Sequence, residues 1–102
     1  MNFRIERLNE LLKQKLLTKF LFDFHDEIIS INFIHTEKDL SSAKIYISVA
    51  SNKQSIYDAV IKSAGKYGRE IASEQYIRKF PKLIFIRDEM QDAVERVEQI
   101  LN

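Results

Sequence analysis

Ser63-Ala64-Gly65-Lys66-Tyr67-Gly68-Arg69, followed after a short interval by Arg78-Lys79-Phe80-Pro81, is the stretch that decides how this chain folds. Ile56, Val60, Ala64, Tyr67 and Ile71 recur at spacings of four, four, three and four, one helical face that passes straight through both glycines. Glycine inside a helix costs about 1 kcal/mol relative to alanine. Two of them three residues apart, beside Ser63 and Ala64, predict a kink or the close approach of another backbone. Cations gather at the same place. That combination suits a nucleic-acid backbone better than a catalytic centre.

On the N-terminal side of this stretch, residues 4–22 read as a helix. Ile5, Leu8, Leu12, Leu16 and Phe20 form one stripe, widened by Leu11, Leu17 and Leu21, and Arg4, Arg7, Lys13 and Lys15 occupy the other face. The helix is expected to end before Asp23-Phe24-His25-Asp26. Residues 28–36 read as a strand, with Ile29, Ile31 and Phe33 alternating with Ser30 and Asn32. Residues 43–50 alternate more cleanly: Ala43, Ile45, Ile47 and Val49 point one way, Lys44, Tyr46 and Ser48 the other, so one face is buried and one is wetter. The short polar link from Glu37 to Ser42 favours an antiparallel hairpin. Ser55 with Asp58 has the spacing of an N-cap pair. A helix then runs to about Ala64, and a second from about Lys66 to Ser73.

On the C-terminal side, Pro81 cannot continue a helix and biases Phe80 towards extended geometry. Lys82-Leu83-Ile84-Phe85-Ile86-Arg87 reads as a third strand. Val94, Val97, Ile100 and Leu101 mark a C-terminal helix, with Asp88, Glu89 and Asp92 near its positive end. The order helix, strand, strand, helix, helix, strand, helix predicts an α+β fold, a small three-stranded sheet covered by helices, in a single domain over residues 1–102. A helix pair with a glycine bend between a hairpin and a last strand is the topology of a type II KH-like domain. In KH domains a GXXG loop between two helices clamps a nucleic-acid backbone, and Gly65-Lys66-Tyr67-Gly68 is a literal GXXG.

The 102 residues include no cysteine, which excludes disulfides and cysteine-based zinc sites. The N-terminal MNFRIERLNELLKQK lacks the apolar core of a signal peptide, and no run approaches a membrane span, so a cytoplasmic protein is expected. Net charge is +1, but it is unevenly spread. Residues 1–25 carry +2, residues 26–61 carry −2, residues 62–82 carry +4 and residues 83–102 carry −3. No P-loop, nucleophile elbow or other enzyme signature is present, and Glu70 and Glu74 read as surface charge. His35, Glu37 and Asp39 sit at alternate positions, but without a further ligand cluster they read as a polar strand end, and no metal is assigned.

The residues also resemble a family along nearly the whole chain. Arg4 and Arg7 ahead of Leu8, the hairpin from Asn32 to Val49, Ser63-Ala64-Gly65 at an interhelical Ala-x-Gly kink, Arg78 with Pro81-Lys82-Leu83-Ile84-Phe85, and Asp88 followed by Arg96-Val97 and Ile100-Leu101 follow the order and spacing of the ribosome-binding factor A family. Gly68 stands where that family usually has arginine, Lys82 where it has glutamate, and Met90 where it has serine. The basic C-terminal extension common in the family is missing.

The resemblance implies a non-enzymatic maturation and assembly factor of the small (30S) ribosomal subunit. Such a factor binds 16S rRNA in the immature subunit and supports rRNA processing. It implies no cofactor, the free 30S subunit as partner together with a release or assembly factor, and a monomer. The residues expected at the RNA are Arg4, Arg7, Lys62, Gly65, Lys66, Gly68, Arg69, Arg78, Lys79 and Lys82. Tyr46 is placed at the edge of the core, although its position also allows stacking on a base. The weak net charge and missing tail leave an alternative, a KH-like protein–protein interaction module without RNA binding.

Overall fold

The computed structural model describes residues 3–89, and the expected C-terminal helix lies outside them. The leucine stripe folds as α1 (Phe3–Asp23). Leu12, Leu16 and Phe20 are buried, whereas Leu21, expected to widen the stripe, is exposed. A 3.6-residue period carries position 21 past the edge of the contact. After α1 the chain turns, with Phe24 N–H on the Phe20 carbonyl at 2.8 Å.

Strands β1 (Ile29–Thr36) and β2 (Ser42–Val49) pair antiparallel, and β3 (Lys82–Arg87) pairs parallel to β2, so the order is β1-β2-β3 with β2 central. The connecting turn is held by Leu40 N–H on the Glu37 carbonyl at 2.9 Å and by Ser41 N–H on Asp39 Oδ1 at 3.0 Å. In β2 the alternation is as the sequence implies: Ala43, Ile45, Ile47 and Val49 are all buried.

Strand β1 departs from simple alternation. Ile31 faces Ile47, but Phe33 faces Tyr46, so a bulge at Asn32 shifts the register. An extra residue turns everything beyond it to the other face. Ile29, Ile31 and Thr36 are therefore buried and Ile34 packs on the core, while Phe33, expected on the apolar face, is 59% exposed on the open one. Asn32 Nδ2 is anchored on Ser48 Oγ at 2.7 Å and Asp88 Oδ2 at 2.8 Å.

The two middle helices are α2 (Gln54–Lys62) and α3 (Ala64–Glu74). The residue before α2 is Lys53, which makes no side-chain cap. Ser55, expected to cap, lies inside the first turn. The break falls at Ser63, one residue before the expected end of the first helix. Ser63 N–H donates to the Val60 carbonyl at 3.0 Å and its hydroxyl to the Ala59 carbonyl at 2.9 Å, while its own carbonyl accepts from Tyr67 N–H at 2.9 Å. A serine returning its hydroxyl to the carbonyl four residues back bends a helix without needing glycine. Gly65-Lys66-Tyr67-Gly68 is consequently helix, not an interhelical loop, and neither glycine has positive φ.

Helices α1, α2 and α3 pack on one face of the sheet. Phe20 of α1, Tyr67 of α3 and Phe85 of β3 form an aromatic cluster with centroids 5.8–6.4 Å apart. Val60, Ile71, Leu83 and the β2 side chains complete the core. Truncating a fully buried leucine or isoleucine here to alanine costs about 2–5 kcal/mol. Tyr57 of α2 is buried with its ring under the Arg87 guanidinium at 4.5 Å, and its hydroxyl accepts from Val49 N–H at 2.9 Å.

Candidate nucleic-acid interface

Helix α3 presents its smallest residues on one side. Ala64, Gly68 and Ala72 follow at steps of four, with Gly65 beside them. The segment entering β3 lies opposite, with Phe80, Pro81 and Leu83. Between them runs a groove of about 330 Å³, rimmed by Arg69 and Lys82. Pro81 is fully buried and fixes the turn into the strand, and Lys82 N–H donates to the Ser41 carbonyl at 3.1 Å. The floor is apolar because, apart from Arg69 at the rim, α3 supplies only Ala64, Gly65, Gly68 and Ala72 to it. Arg69 and Lys82 form no ion pair among the described residues.

The glycines serve this groove differently from the expectation of close backbone approach. A Cβ built on Gly68 would meet Leu83 Cγ at 3.7 Å, Leu83 Cδ1 at 3.8 Å and Phe80 Cε1 at 3.9 Å, ordinary contacts. One built on Gly65 would meet the mobile tip of Arg69 at 3.3 Å. No neighbouring backbone excludes a methyl group at either position.

The ten expected residues divide. Gly65, Gly68, Arg69 and Lys82 line the groove. Arg78 and Lys79 are exposed in the segment leading to Lys82. Lys79 also acts electrostatically on Asp39, whose carboxyl is held below its usual range, chiefly by hydrogen bonds from Ser41. Lys62, the exposed last residue of α2, does not line the groove. Lys66 does not either, and it pairs with Glu70 at 3.9 Å. Arg4 and Arg7 are exposed at the start of α1, whose N-terminal half lies on β1, the strand at the opposite edge of the sheet from β3. Helix α1 meets α3 through Lys19, Phe20 and Asp23, and Lys19 is about 18 Å along its axis from Arg7.

Glu70 and Glu74 are not idle surface charge. Both hold Lys19 of α1, at 2.6 Å and 3.5 Å. They clamp α1 to the far side of α3 and leave its small-residue side open. Sequence reading missed the groove walls, Phe80 and Leu83, although the Ala64, Gly68 and Ala72 spacing was visible. Among the described residues no group of three or more histidine or acidic side chains could hold a metal ion, and no helix is long and apolar enough to cross a membrane.

The sequence profile of a family described as Ribosome-binding factor A matches residues 4–101. A Ribosome-binding factor A of Desulforamulus reducens is 32% identical over 108 residues, covering 100% of this chain and 90% of that relative. One of Pediococcus pentosaceus is 31% identical over 107 residues, covering 98% and 92%. Among solved structures the chain is similar to a Thermus thermophilus ribosome binding factor A homology model fitted into the cryo-EM map of a 30S–RbfA complex. The TM-score is 0.53 with 17% identity, over 58% of this chain and 65% of that one, a likeness of fold. Among the described residues, the mixed three-stranded sheet under three helices is consistent with a KH-like domain.

Proposed function

The chain belongs to the ribosome-binding factor A family, and from that premise we propose that it is a cytoplasmic assembly factor of the small (30S) ribosomal subunit, binding 16S rRNA of the immature particle and catalysing no reaction itself. The observation that carries this reading is the groove between α3 and β3, in which two cations without ion pairs among the described residues flank a shallow apolar floor. Phosphates would meet Arg69 and Lys82, with Arg78 and Lys79 exposed in the segment that leads to Lys82. Contacts of this kind fix register on a strand more than they read sequence.

The mechanism is differential binding. A protein that holds one rRNA conformation more tightly than another shifts the equilibrium between them by that difference in affinity. Support of rRNA processing follows if the stabilised conformation is the one that processing enzymes accept. Release then follows from rearrangement of the subunit, aided by a further factor. The test is co-sedimentation of the full chain with free small subunits, large subunits and whole ribosomes across a salt series. Salt-sensitive binding confined to free small subunits is expected. With about four phosphates neutralised, log affinity falls with log salt at a slope near −3. Arg69→Glu and Lys82→Glu should each weaken binding. A folded protein that associates with no particle would overturn this reading in favour of a protein-interaction module.

A further inference from the structure

The face of the sheet turned away from the helices carries a ladder set by strand register. Ser42 lies beside Lys82; then come His35, Lys44 and Ile84; then Phe33, Tyr46 and Ile86; then Ser30 and Ser48. Successive rows are about 7 Å apart. The third row is aromatic and open. The Phe33 and Tyr46 rings lie 5.8 Å apart at 43°, and they line a surface hollow of about 630 Å³ together with Ile86, Arg87, Asp88 and Glu89, the two acids lying at the end away from Lys44. Phe33 reaches this face only because the bulge at Asn32 breaks the ladder. Without the bulge it would continue the buried series of Ile29 and Ile31.

Charge tells what such a face accepts. Lys44 is one row from the aromatic pair and Lys82 one row further, and Lys82 also rims the α3–β3 groove. The face is therefore continuous with the candidate phosphate site, and cations lie along the path between them. An apolar peptide would gain nothing from those lysines. A single strand of RNA uses both features, because its unpaired bases stack on aromatic rings and its phosphates meet cations.

We propose that the open face of the sheet is a stacking platform for unpaired RNA bases. Phe33 and Tyr46 receive one or two base faces, and Lys44 and Lys82 hold the phosphates that link the platform to the groove. This rests on the RNA-binding reading above and deepens it, adding that the bound RNA is single-stranded where it crosses the sheet. Bases inside a duplex are stacked already and cannot be offered to the rings.

The experiment uses the full chain and a short single-stranded RNA carrying one 2-aminopurine, whose fluorescence falls when the base stacks. Affinity comes from anisotropy and stacking from quenching. Wild type is expected to quench the probe. Phe33→Ala and Tyr46→Ala should each weaken binding by about fivefold or more and remove the quenching. Their salt slope should be unchanged, because no phosphate contact is lost, whereas Lys44→Ala should reduce it by about 0.7. Arg69→Glu should weaken binding yet leave the bound probe quenched. Phe33→Leu, which keeps apolar bulk and loses the ring, should behave as Phe33→Ala and guards against an effect of misfolding. Affinities within about twofold of wild type for both aromatic variants, alongside a weakened Arg69→Glu, would overturn the platform and leave the RNA reading standing. A wild-type protein that binds neither the probe nor small subunits would overturn both.

Discussion

Tyr67, buried in α3, donates its hydroxyl hydrogen to Asp23 Oδ2 at the C-terminal end of α1 across 2.6 Å. Lys19 lies over the same ring at 5.8 Å while it bridges to Glu70 and Glu74. One patch thus joins the first helix to the helix that floors the groove. Burial, and then the Asp23 carboxylate, push the Tyr67 hydroxyl well above its ordinary range. For Lys19, burial is the largest single influence and pulls downward. The Glu70 hydrogen bond and the charges of Glu70 and Glu74 together outweigh it, so the ammonium is also raised.

Both shifts run the same way with pH. A group whose folded pKa is raised contributes stability that is complete below its unfolded value and is lost as pH climbs through the folded one. The unfolded values are about 10 for tyrosine and about 10.4 for lysine. Stability should therefore be insensitive to these groups at neutral pH and fall from about pH 10 upward. Urea midpoints across the alkaline range will show it. Tyr67→Phe should cost about 0.5–1.5 kcal/mol at pH 7 for the lost hydrogen bond and make the alkaline fall shallower. An unchanged alkaline slope in that variant would remove Tyr67 from the account.

Gly68→Ala should stabilise the fold by about 0.5–1 kcal/mol. The position is mid-helix, φ is not positive, and the added methyl meets Leu83 and Phe80 at ordinary distances. The same methyl enters the groove, so small-subunit binding should weaken while the melting temperature rises. Gly65→Ala should also raise stability, once the Arg69 tip moves aside. A destabilised Gly68→Ala would mean that the helix approaches β3 more closely than these distances allow.

Tyr76→Gly should stabilise by about 1 kcal/mol. After α3 the chain closes a Schellman motif: Ile77 N–H donates to the Ala72 carbonyl at 3.0 Å and Tyr76 N–H to the Ser73 carbonyl at 3.3 Å. That motif puts Tyr76 at φ 54, a left-handed conformation that costs an L-residue about 1–2 kcal/mol. Its side chain is 94% exposed and contributes no burial in return. Thermal denaturation of the variant decides the sign.

Tyr57→Phe should cost about 1–3 kcal/mol, although it removes one atom. The hydroxyl is the acceptor for Val49 N–H at the end of β2, and the phenylalanine ring would leave that donor buried and unpaired. Faster exchange of the Val49 amide, measured by NMR, should accompany the loss. An amide that stays protected would show that another acceptor replaces it.

What the sequence alone determined was much of what depends on local period, though not the edge of the α1 stripe at Leu21 or the cap of α2 at Ser55. The α1 stripe, the alternation of Ala43, Ile45, Ile47 and Val49, the strand after Pro81 and the order of elements were all legible, because each is written in neighbours a few residues apart. The family was legible too, from ordered residues along the chain. The period of Val94, Val97, Ile100 and Leu101 was equally plain but lies outside the described residues. Tertiary structure decided the rest. Whether Phe33 faces the core depends on its partner in β2, and the bulge reversed the local alternation. The helix break settled on Ser63 because a serine could satisfy its hydroxyl on Ala59, and the glycines remained helical. The same structure separated Arg69 and Lys82, which rim the groove, from Lys66, paired with Glu70, and from Arg4 and Arg7 on another strand's side. Charge and spacing along a chain say which residues are cationic. Only packing between distant segments sets which of them share a surface.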